Sequence, residues 1–472
     1  MESQLKRAKG EGRRRCYHFG AYGGFSQEAR EPPGRIFDAT MRQSPGTGFI
    51  IICSMPAPPR PHLLWVLPKW PLPATDGARV ANVNLLRGLG ELGVAIDVIA
   101  IVERSADCDH EELKRTCGVA SSRIVYREPI GRGLGILGMM AALKSFCLRP
   151  WLPVTLAPVA APNVRAKLAR ILSLGPAQDE PWTAIVYDGL HPAAHSSSFA
   201  EFSPPMPKLP VYYRAHNIEA EIWERKALGT RFWPLRLFLL LQSSLMRRFE
   251  LSVVRKASSV LSVSEKDFDH FRRLVPGLQG GVAPIGYDFS EPAAAASSGE
   301  KLRLLFLGKL DWLPNREGLT WFLDHVWRQA RKRRPELELW IAGSGDSEWL
   351  RSRVDSPGIR FFGRVEAVDE LYRDCALSVV PIFYGSGTRV KVIESSRFSR
   401  PCLSTEIGVE GLGLVAGATY FKAESAEEWI SALVDLDPAQ AKSVGSNAHD
   451  YLKETFHLPF AAKKFLEGIG VQ

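Results

Sequence analysis

Tyr384-Gly-Ser-Gly-Thr-Arg-Val-Lys-Val-Ile-Glu394 is the most informative stretch of this sequence, because it joins an apolar run ending at Pro381 to a helical pattern. A Gly-rich turn that leads into a helix presents free backbone N–H groups and the positive end of the helix dipole, which favour a phosphate group. Arg389 and Lys391 add positive charge beside this turn, and Glu394 is placed to accept hydrogen bonds from ribose hydroxyls. The pattern alone equally allows a capped helix with an exposed glutamate.

Strands and helices alternate on both sides of this stretch. Short apolar runs of strand length are separated by segments whose apolar residues recur at helical spacing. The runs cover residues 63–67, 94–102, 184–187, 210–213 and 259–263, and then 302–307, 337–342, 359–362 and 377–381. Runs of this kind are typical of parallel strands buried on both faces. The sequence therefore predicts an α/β protein with two Rossmann-like domains in tandem.

Composition shifts divide the chain into four parts. Residues 1–60 are rich in Arg, Gly and Pro without sustained periodicity, so we expect a disordered extension or, since Met41 and Met55 follow, a reading frame that starts too early. Residues 61–288 form the first Rossmann-like domain and 289–300 a linker of low hydrophobicity. Residues 301–472 form the second domain, including helices at the carboxyl terminus.

Charge and cysteine content restrict the class of protein. The net charge of +9 on 472 residues indicates anionic partners but is too small to indicate nucleic acid. The seven cysteines are scattered without a Cys-x-x-Cys pair, which favours a reducing compartment and argues against a zinc site. Three Asp-x-Asp matches lie outside strand ends, so we predict no metal site. No signal peptide or membrane span is predicted, and we expect a cytoplasmic protein.

Several stretches together resemble glycosyltransferase family 4, the group 1 glycosyltransferases. The run from Gly385 to Glu394 and the later Arg400-Pro-Cys-Leu-Ser-Thr-Glu-Ile-Gly-Val-Glu-Gly411 resemble the family's donor-binding segment. Their order and spacing with other matching stretches carry the resemblance over roughly residues 62 to 460. These are Arg214-Ala-His-Asn-Ile-Glu219, Ser262-Val-Ser-Glu265, Pro284-Ile-Gly-Tyr-Asp288, Phe306-Leu-Gly-Lys-Leu-Asp-Trp-Leu-Pro-Asn315, Ala342-Gly-Ser-Gly345 and Phe361-Phe-Gly-Arg364.

The resemblance implies the GT-B fold, in which two Rossmann-like domains face each other across a cleft. It implies transfer of a sugar from a nucleotide-diphosphate donor to a glycan or lipid-linked acceptor, with retention of anomeric configuration and without a metal or other cofactor. The implied catalytic residues are His216, Lys309 and Arg389. The implied substrate-binding residues are Gly77, Gly308, Arg364, Gly385, Ser386, Gly387, Thr388, Lys391 and Glu394.

One position departs from the family's pattern. The family typically has two glutamates eight positions apart, and here Ser386 stands at the first position while Glu394 matches the second. The departure leaves the sugar open and motivates an alternative, a non-catalytic GT-B-like protein that binds nucleotide-sugars or acts as a scaffold. An NAD-dependent or epimerase-type Rossmann protein is disfavoured, since Gly133-Leu-Gly-Ile-Leu-Gly138 lacks the acidic residue expected about 20 positions later.

Two apolar segments with basic flanks bear on localisation. They are Leu134 to Leu148 and Phe232 to Leu241, the latter followed by Arg247 and Arg248. Such segments suit peripheral contact with an anionic membrane, here the inner membrane face, as a lipid-linked acceptor would require. Ordinary core helices explain them equally well.

Overall fold

The computed structural model describes residues 15–17, 39–43, 49–53, 61–74, 77–103, 107–127, 147, 151–156, 162–176, 180–194, 209–289, 302–365, 368–384 and 389–471. The chain separates into two compact units, Met1–Arg60 and Pro61–Gln472.

The first unit contains three short strands. β1 (Arg15–Tyr17) and β2 (Ala39–Gln43) both pair antiparallel with β3 (Phe49–Cys53), which has three consecutive isoleucines of high strand propensity. Here the structure differs from the expectation of an unfolded extension. The rest of this segment lies outside the described residues, and for it the expectation stays a prediction.

The second unit contains two parallel sheets, of which the first has seven strands in the order β10-β9-β8-β7-β4-β5-β6. All its pairings are parallel. All six residues of β4 are buried, as its apolar sequence predicts for a central strand. The strands are β4 (His62–Leu67), β5 (Ala95–Glu103), β6 (Ser121–Arg127), β7 (Ala184–Asp188), β8 (Val211–Ala215), β9 (Ser259–Ser262) and β10 (Gly280–Val282).

The helices around the first sheet connect its strands. Their bounds are α1 (Gly77–Glu91), α2 (His110–Cys117), α3 (Pro162–Leu174), α4 (Leu190–Ala193), α5 (Glu219–Leu228), α6 (Trp233–Lys256) and α7 (Glu265–Leu274). α7 begins where the Ser264 side chain accepts a hydrogen bond from the Asp267 N–H, an ordinary N-cap. The predicted membrane segment from Leu134 to Leu148 lies outside the described residues apart from Cys147, as does the Gly133–Gly138 pattern.

The second sheet has six parallel strands in the order β13-β12-β11-β14-β15-β16. Its strands are β11 (Leu302–Leu307), β12 (Leu337–Ala342), β13 (Ile359–Gly363), β14 (Leu377–Val380), β15 (Cys402–Ser404) and β16 (Phe421–Lys422). Its helices are α8 (Leu313–Trp321), a π-helical turn (Phe322–Trp327), α9 (Arg328–Arg333), α10 (Arg351–Val354), α11 (Asp369–Asp374), α12 (Val390–Arg397), α13 (Ala426–Val434) and α14 (Pro438–Phe456), with 3₁₀ turns at Glu348–Leu350 and Ile407–Val409. The predicted two-sheet α/β architecture is confirmed.

The final helix, α15 (Leu458–Gly468), packs on the first sheet. Phe465 stacks on Trp65 of β4 with ring centroids 5.1 Å apart, and Ala462 belongs to the same buried cluster. The expected assignment of all residues up to 472 to the second domain therefore differs from the packing at this helix. Its apolar face is buried by strands that lie far away in sequence.

In each sheet, the strand order reverses its direction at one point. In the first sheet β4 lies between β5 and β7, and in the second β11 lies between β12 and β14. Ligands of open α/β sheets bind outside the carboxyl ends of strands at such points. Gly77 follows β4, Gly308 follows β11 and Arg389 follows β14, so the topology places these predicted residues at the two switch points.

Candidate active site

A cavity of about 1370 Å³ is lined by residues that follow the strands of both sheets. The predicted site residues on it are Gly77, His216, Gly308, Lys309, Arg364, Arg389, Lys391 and Glu394. Gly385, Ser386, Gly387 and Thr388 lie outside the described residues. The fold therefore brings the eight predicted residues that the structure describes to one cleft, and their individual roles stay predictions.

Two helices begin on opposite sides of this cleft. A Cβ atom added to Gly77, the first residue of α1, would lie 3.2 Å from Cγ2 of Val390, the first residue of α12. The two amino-terminal ends are therefore in near contact, and each presents the positive end of a helix dipole. This arrangement makes the adjoining part of the cleft favourable for an anion.

Lys391 lies in the wall of the cleft and is held by an asparagine. Its Nζ donates to Oδ1 of Asn315 at 2.6 Å and lies over the Phe306 ring. Nδ2 of Asn315 donates to the Lys309 carbonyl oxygen at 2.9 Å. Burial, with the neighbouring charge of Arg389, lowers the pKa of Lys391 to about 7. An anion in the cleft would favour the charged form of this lysine.

Gly308 leaves room for this arrangement. A Cβ atom at this position would lie 2.6 Å from Nδ2 of Asn315 and 3.1 Å from Nζ of Lys391. A larger residue would push one of these groups out of position. The glycine is therefore required by packing as well as by any ligand.

Glu394 is half-buried and reaches the cavity from α12. Burial raises the pKa of its carboxyl to about 7, against the opposing effects of Arg397 and a hydrogen bond from Tyr372. The Tyr372 hydroxyl donates to Oε2 of Glu394 at 3.5 Å, a long contact that leaves the carboxylate able to accept from a ligand. Ribose hydroxyls would supply the hydrogen bonds that the ionised form lacks.

Arg389 and Lys309 differ in burial and in the contacts they make with the rest of the protein. Arg389 is buried, and its Nε donates to the Ile407 carbonyl oxygen at 3.0 Å. Burial lowers the pKa of Arg389, and the charge of Arg225 on α5 acts in the same direction against that of Glu410. Lys309 is exposed, with Nζ 3.3 Å from Oδ2 of Asp311. A bound diphosphate would therefore have to compete with Asp311 for Lys309.

His216 follows β8 and bonds to a carboxylate that the sequence analysis did not identify. Nε2 of His216 contacts Oδ1 of Asp188, the last residue of β7. Oδ2 of Asp188 accepts from Arg214 and from Nε1 of Trp65, both at 2.9 Å. Burial would raise the pKa of Asp188, but the charges of His216 and Arg214 hold it well below its usual range. An ionised, fully buried carboxylate therefore orients His216 towards the cleft.

Asp188 and Asn315 were not predicted as site residues, and the sequence carries a usable signal for Asp188 alone. Asp188 ends a buried strand at the sheet edge where His216 was expected, so the strand-end rule applies to it equally. Asn315 closes the stretch that carries Lys309, but its side-chain partners depend on three-dimensional packing.

A second buried carboxyl group, that of Glu250, supports the start of α5, directly after His216. Oε1 of Glu250 on α6 accepts from the Glu219 N–H at 3.0 Å, and Oε2 accepts from the Ala220 N–H at 3.4 Å. Burial raises the pKa of Glu250 to about 8, although these backbone bonds oppose the shift. Glu250 thus caps a helix that also lines the cleft, through Arg225 and Lys226.

The described residues show neither a metal-binding cluster nor a membrane-spanning helix. They contain no group of three or more His, Cys, Asp or Glu side chains arranged to hold a metal ion. No helix among them combines the length and apolarity needed to cross a bilayer.

Parts of the chain resemble known proteins in sequence. Residues 301–436 match a family model described as glycosyl transferases group 1. A curated relative, an uncharacterized 44.6 kDa protein in the cps region of Klebsiella pneumoniae, is 26% identical over 163 residues. That match covers 32% of this chain and 42% of the relative, so the chain spans less than half of the relative's length.

Solved structures share the fold over most of the chain. Sucrose-phosphate synthase from Thermosynechococcus elongatus superposes with a TM-score of 0.61 at 14% identity, covering 86% of this chain and 98% of that one. HepE of Anabaena, determined in complex with UDP and glucose, gives 0.57 at 13% identity, covering 87% and 99%. WaaG, a glycosyltransferase involved in lipopolysaccharide biosynthesis, gives 0.57 at 15% identity, covering 86% and 100%. The predicted resemblance is confirmed: residues 301–436 match the group 1 glycosyltransferase model, and the chain shares the GT-B fold of these structures.

Proposed function

We propose that this protein transfers a sugar from a nucleotide-diphosphate donor to a glycan or lipid-linked acceptor. The observation that carries the proposal is the cleft in which the start of α12, with Lys391 and Glu394, faces His216 from the other sheet. Lys391 and Glu394 suit a nucleotide diphosphate, and His216 would then lie beside the bond to the sugar that breaks. The family match of residues 301–436 supports the same class of reaction.

The donor would bind on the side of the second sheet. Glu394 accepts from ribose hydroxyls, while the amino-terminal end of α12 and Lys391 bind the diphosphate. Arg364 and Lys309 add positive charge from neighbouring loops. HepE, a structural neighbour, was determined with UDP, which makes UDP a reasonable first probe for this chain.

The reaction would proceed with retention of configuration and without a metal ion or other cofactor. Negative charge grows on the departing diphosphate, and Lys309, Arg389 and Lys391 offset it together with the helix dipoles. His216, held by Asp188, would lie against the donor's phosphate or sugar and stabilise the charge that develops there. Closure of the cleft would exclude water and align the acceptor from the side of the first sheet.

Ser386 motivates a second candidate function. Since it stands where the family has a glutamate, a protein that binds nucleotide-sugars without turnover is the alternative. A glycosyltransferase and a non-catalytic binding protein would both bind the nucleotide-sugar, but only the glycosyltransferase would form a transfer product.

Incubation with a panel of labelled nucleotide-sugars and a membrane extract as the acceptor source tests the proposal. We expect acceptor-dependent release of nucleotide diphosphate from one donor. Tight nucleotide binding without release from any donor would support the non-catalytic alternative. We place the reaction in the cytoplasm, at the inner membrane face if the acceptor is lipid-linked.

A further inference from the structure

The segment from α5 into the first half of α6 exposes an unusual number of large apolar side chains. Phe232 and Trp233 are 65% and 73% exposed, and Leu237 is 62% exposed. We call the whole set the α5–α6 surface; it consists of Ile222, Leu228, Phe232, Trp233, Leu235, Leu237, Phe238, Leu240 and Leu241.

This exposure excludes the interpretation of the segment as an ordinary core helix. Between Trp233 and Leu241 only Leu239 is buried, whereas the second half of α6 buries a regular stripe. A helix that packs on a core normally turns its apolar side inward and its polar side to water. Contiguous exposed apolar area of this kind marks a surface that binds something.

The charge of the same segment indicates what it binds. No acidic residue occurs from Arg225 to Phe249, while six basic residues do: Arg225, Lys226, Arg231, Arg236, Arg247 and Arg248. Of these, Arg225 and Arg247 pair with Glu221 and Glu224 of α5 at 2.9 and 2.7 Å. Arg231, Arg236 and Arg248 are exposed beside the apolar side chains. Apolar side chains with arginines around them complement a bilayer with anionic headgroups.

The α5–α6 surface is also continuous with the cleft. Ile222 belongs to the surface and lines the cavity, and Arg225, Lys226 and Gly229 line it from the same helix and the turn after it. The part of α5 that belongs to both the surface and the cavity wall therefore carries two basic residues, of which Arg225 is paired with Glu221 at 2.9 Å. Basic residues at this point would favour an acceptor with a phosphate group.

We propose that the α5–α6 surface docks the protein on an anionic lipid bilayer and that the acceptor is an anionic, lipid-linked molecule delivered from it. This inference rests on the proposed function for the acceptor, but not for the docking. Membrane docking leaves the cleft entrance next to the headgroups, where a lipid phosphate lies. Membrane docking therefore favours a lipid-linked acceptor over a free glycan.

Flotation of the full-length chain with vesicles tests the docking. We expect binding to phosphatidylcholine vesicles that contain phosphatidylglycerol and much weaker binding to phosphatidylcholine alone. Trp233→Ser with Leu237→Ser should weaken binding at least about tenfold, since two exposed apolar side chains no longer enter the interface. Arg231→Gln with Arg236→Gln should weaken it roughly fivefold per arginine, and less in high salt.

A matched control uses apolar residues that are equally exposed elsewhere. Leu174→Ser with Val415→Ser, at positions 70% and 60% exposed, should leave vesicle binding unchanged. Equal losses in both pairs, or no binding by the wild type, would overturn the docking. A wild-type dimer in sedimentation that the Trp233 and Leu237 changes dissociate, without vesicle binding, would identify the surface as a contact between copies and overturn it too.

A second arm separates the docking from the proposed reaction. UDP affinity should be equal in the wild type and the Trp233 and Leu237 variant, because neither residue lines the cavity. Transfer to acceptors in vesicles should fall with vesicle binding in that variant. Vesicle binding without any turnover would leave the docking intact and refute the proposed function, whereas turnover indifferent to loss of vesicle binding would refute the lipid-linked acceptor.

Discussion

Replacement of His216 by alanine should lower turnover by roughly a hundredfold or more while donor affinity changes little. Loss of one polar group that stabilises a transition state has an effect of this size. His216 belongs to the side of the cleft opposite Lys391 and Glu394, so its contribution should arise mainly in the transition state. The expected pattern is a fall in kcat with a nearly constant Kd for the donor.

The structure also limits the effect of His216→Ala on stability. Asp188 keeps its hydrogen bonds from Arg214 and Trp65, both at Oδ2, whereas its buried Oδ1 loses the contact with His216. The cost should therefore be that of one charge-assisted hydrogen bond, about 1.5–3 kcal/mol, and more if no water reaches Oδ1. Turnover, donor affinity and melting temperature should be measured on the same preparation.

Trp65→Phe provides the matched control. It removes a different hydrogen bond to the same carboxylate from a fully buried position. We expect it to lower the melting temperature while turnover per folded molecule stays near that of the wild type. If His216→Ala behaves in the same way as Trp65→Phe, His216 is a structural residue and the reasoning is refuted.

Four further predictions concern other parts of the chain. Glu394→Ala should weaken nucleotide binding about ten- to a hundredfold through loss of a charge-assisted acceptor, and unchanged affinity in a calorimetric titration would contradict this. Because the pKa of Lys391 is lowered to about 7, nucleotide affinity should fall by up to roughly tenfold per pH unit between about pH 7.5 and 9, and Lys391→Met should bind weakly without this dependence. Because the pKa of Glu250 is raised to about 8, the folded protein holds a proton that the unfolded chain releases near pH 4.5. The free energy of unfolding should therefore decrease from about pH 5 to 8, and denaturant titrations should show a less steep decrease in Glu250→Gln. Removal of residues 1–55 should leave the melting temperature and turnover unchanged, because this stretch lacks the apolar periodicity to join a core. A large fall in the melting temperature or in turnover would show that residues 1–55 are structural.

Much of the architecture was predictable because its signals are local. A run such as Leu63–Leu67, apolar on both faces and followed by a Pro- and Gly-rich loop, predicts a central parallel strand without knowledge of its partners. The rule that ligands bind beyond the carboxyl ends of strands then brings His216 and Lys391 to the same cleft.

The remaining features depend on contacts between residues far apart in sequence. The packing of Phe465 on Trp65 and the pairing of Arg214 with Asp188 follow from side-chain geometry, not from spacing along the chain. The apolar residues from Phe232 to Leu241 recur on all sides of the helix, so periodicity does not distinguish burial from exposure. Only the structure shows that their side chains face solvent.

Side-by-side measurement of nucleotide-diphosphate release by the wild type, His216→Ala and Glu394→Ala tests the central claim most directly. Each protein receives the same labelled nucleotide-sugars and the same membrane extract. The account predicts acceptor-dependent release by the wild type, a loss of turnover at saturating donor in His216→Ala, and a loss in Glu394→Ala that higher donor concentration restores. No release from any donor, or equal release by all three proteins, would contradict it.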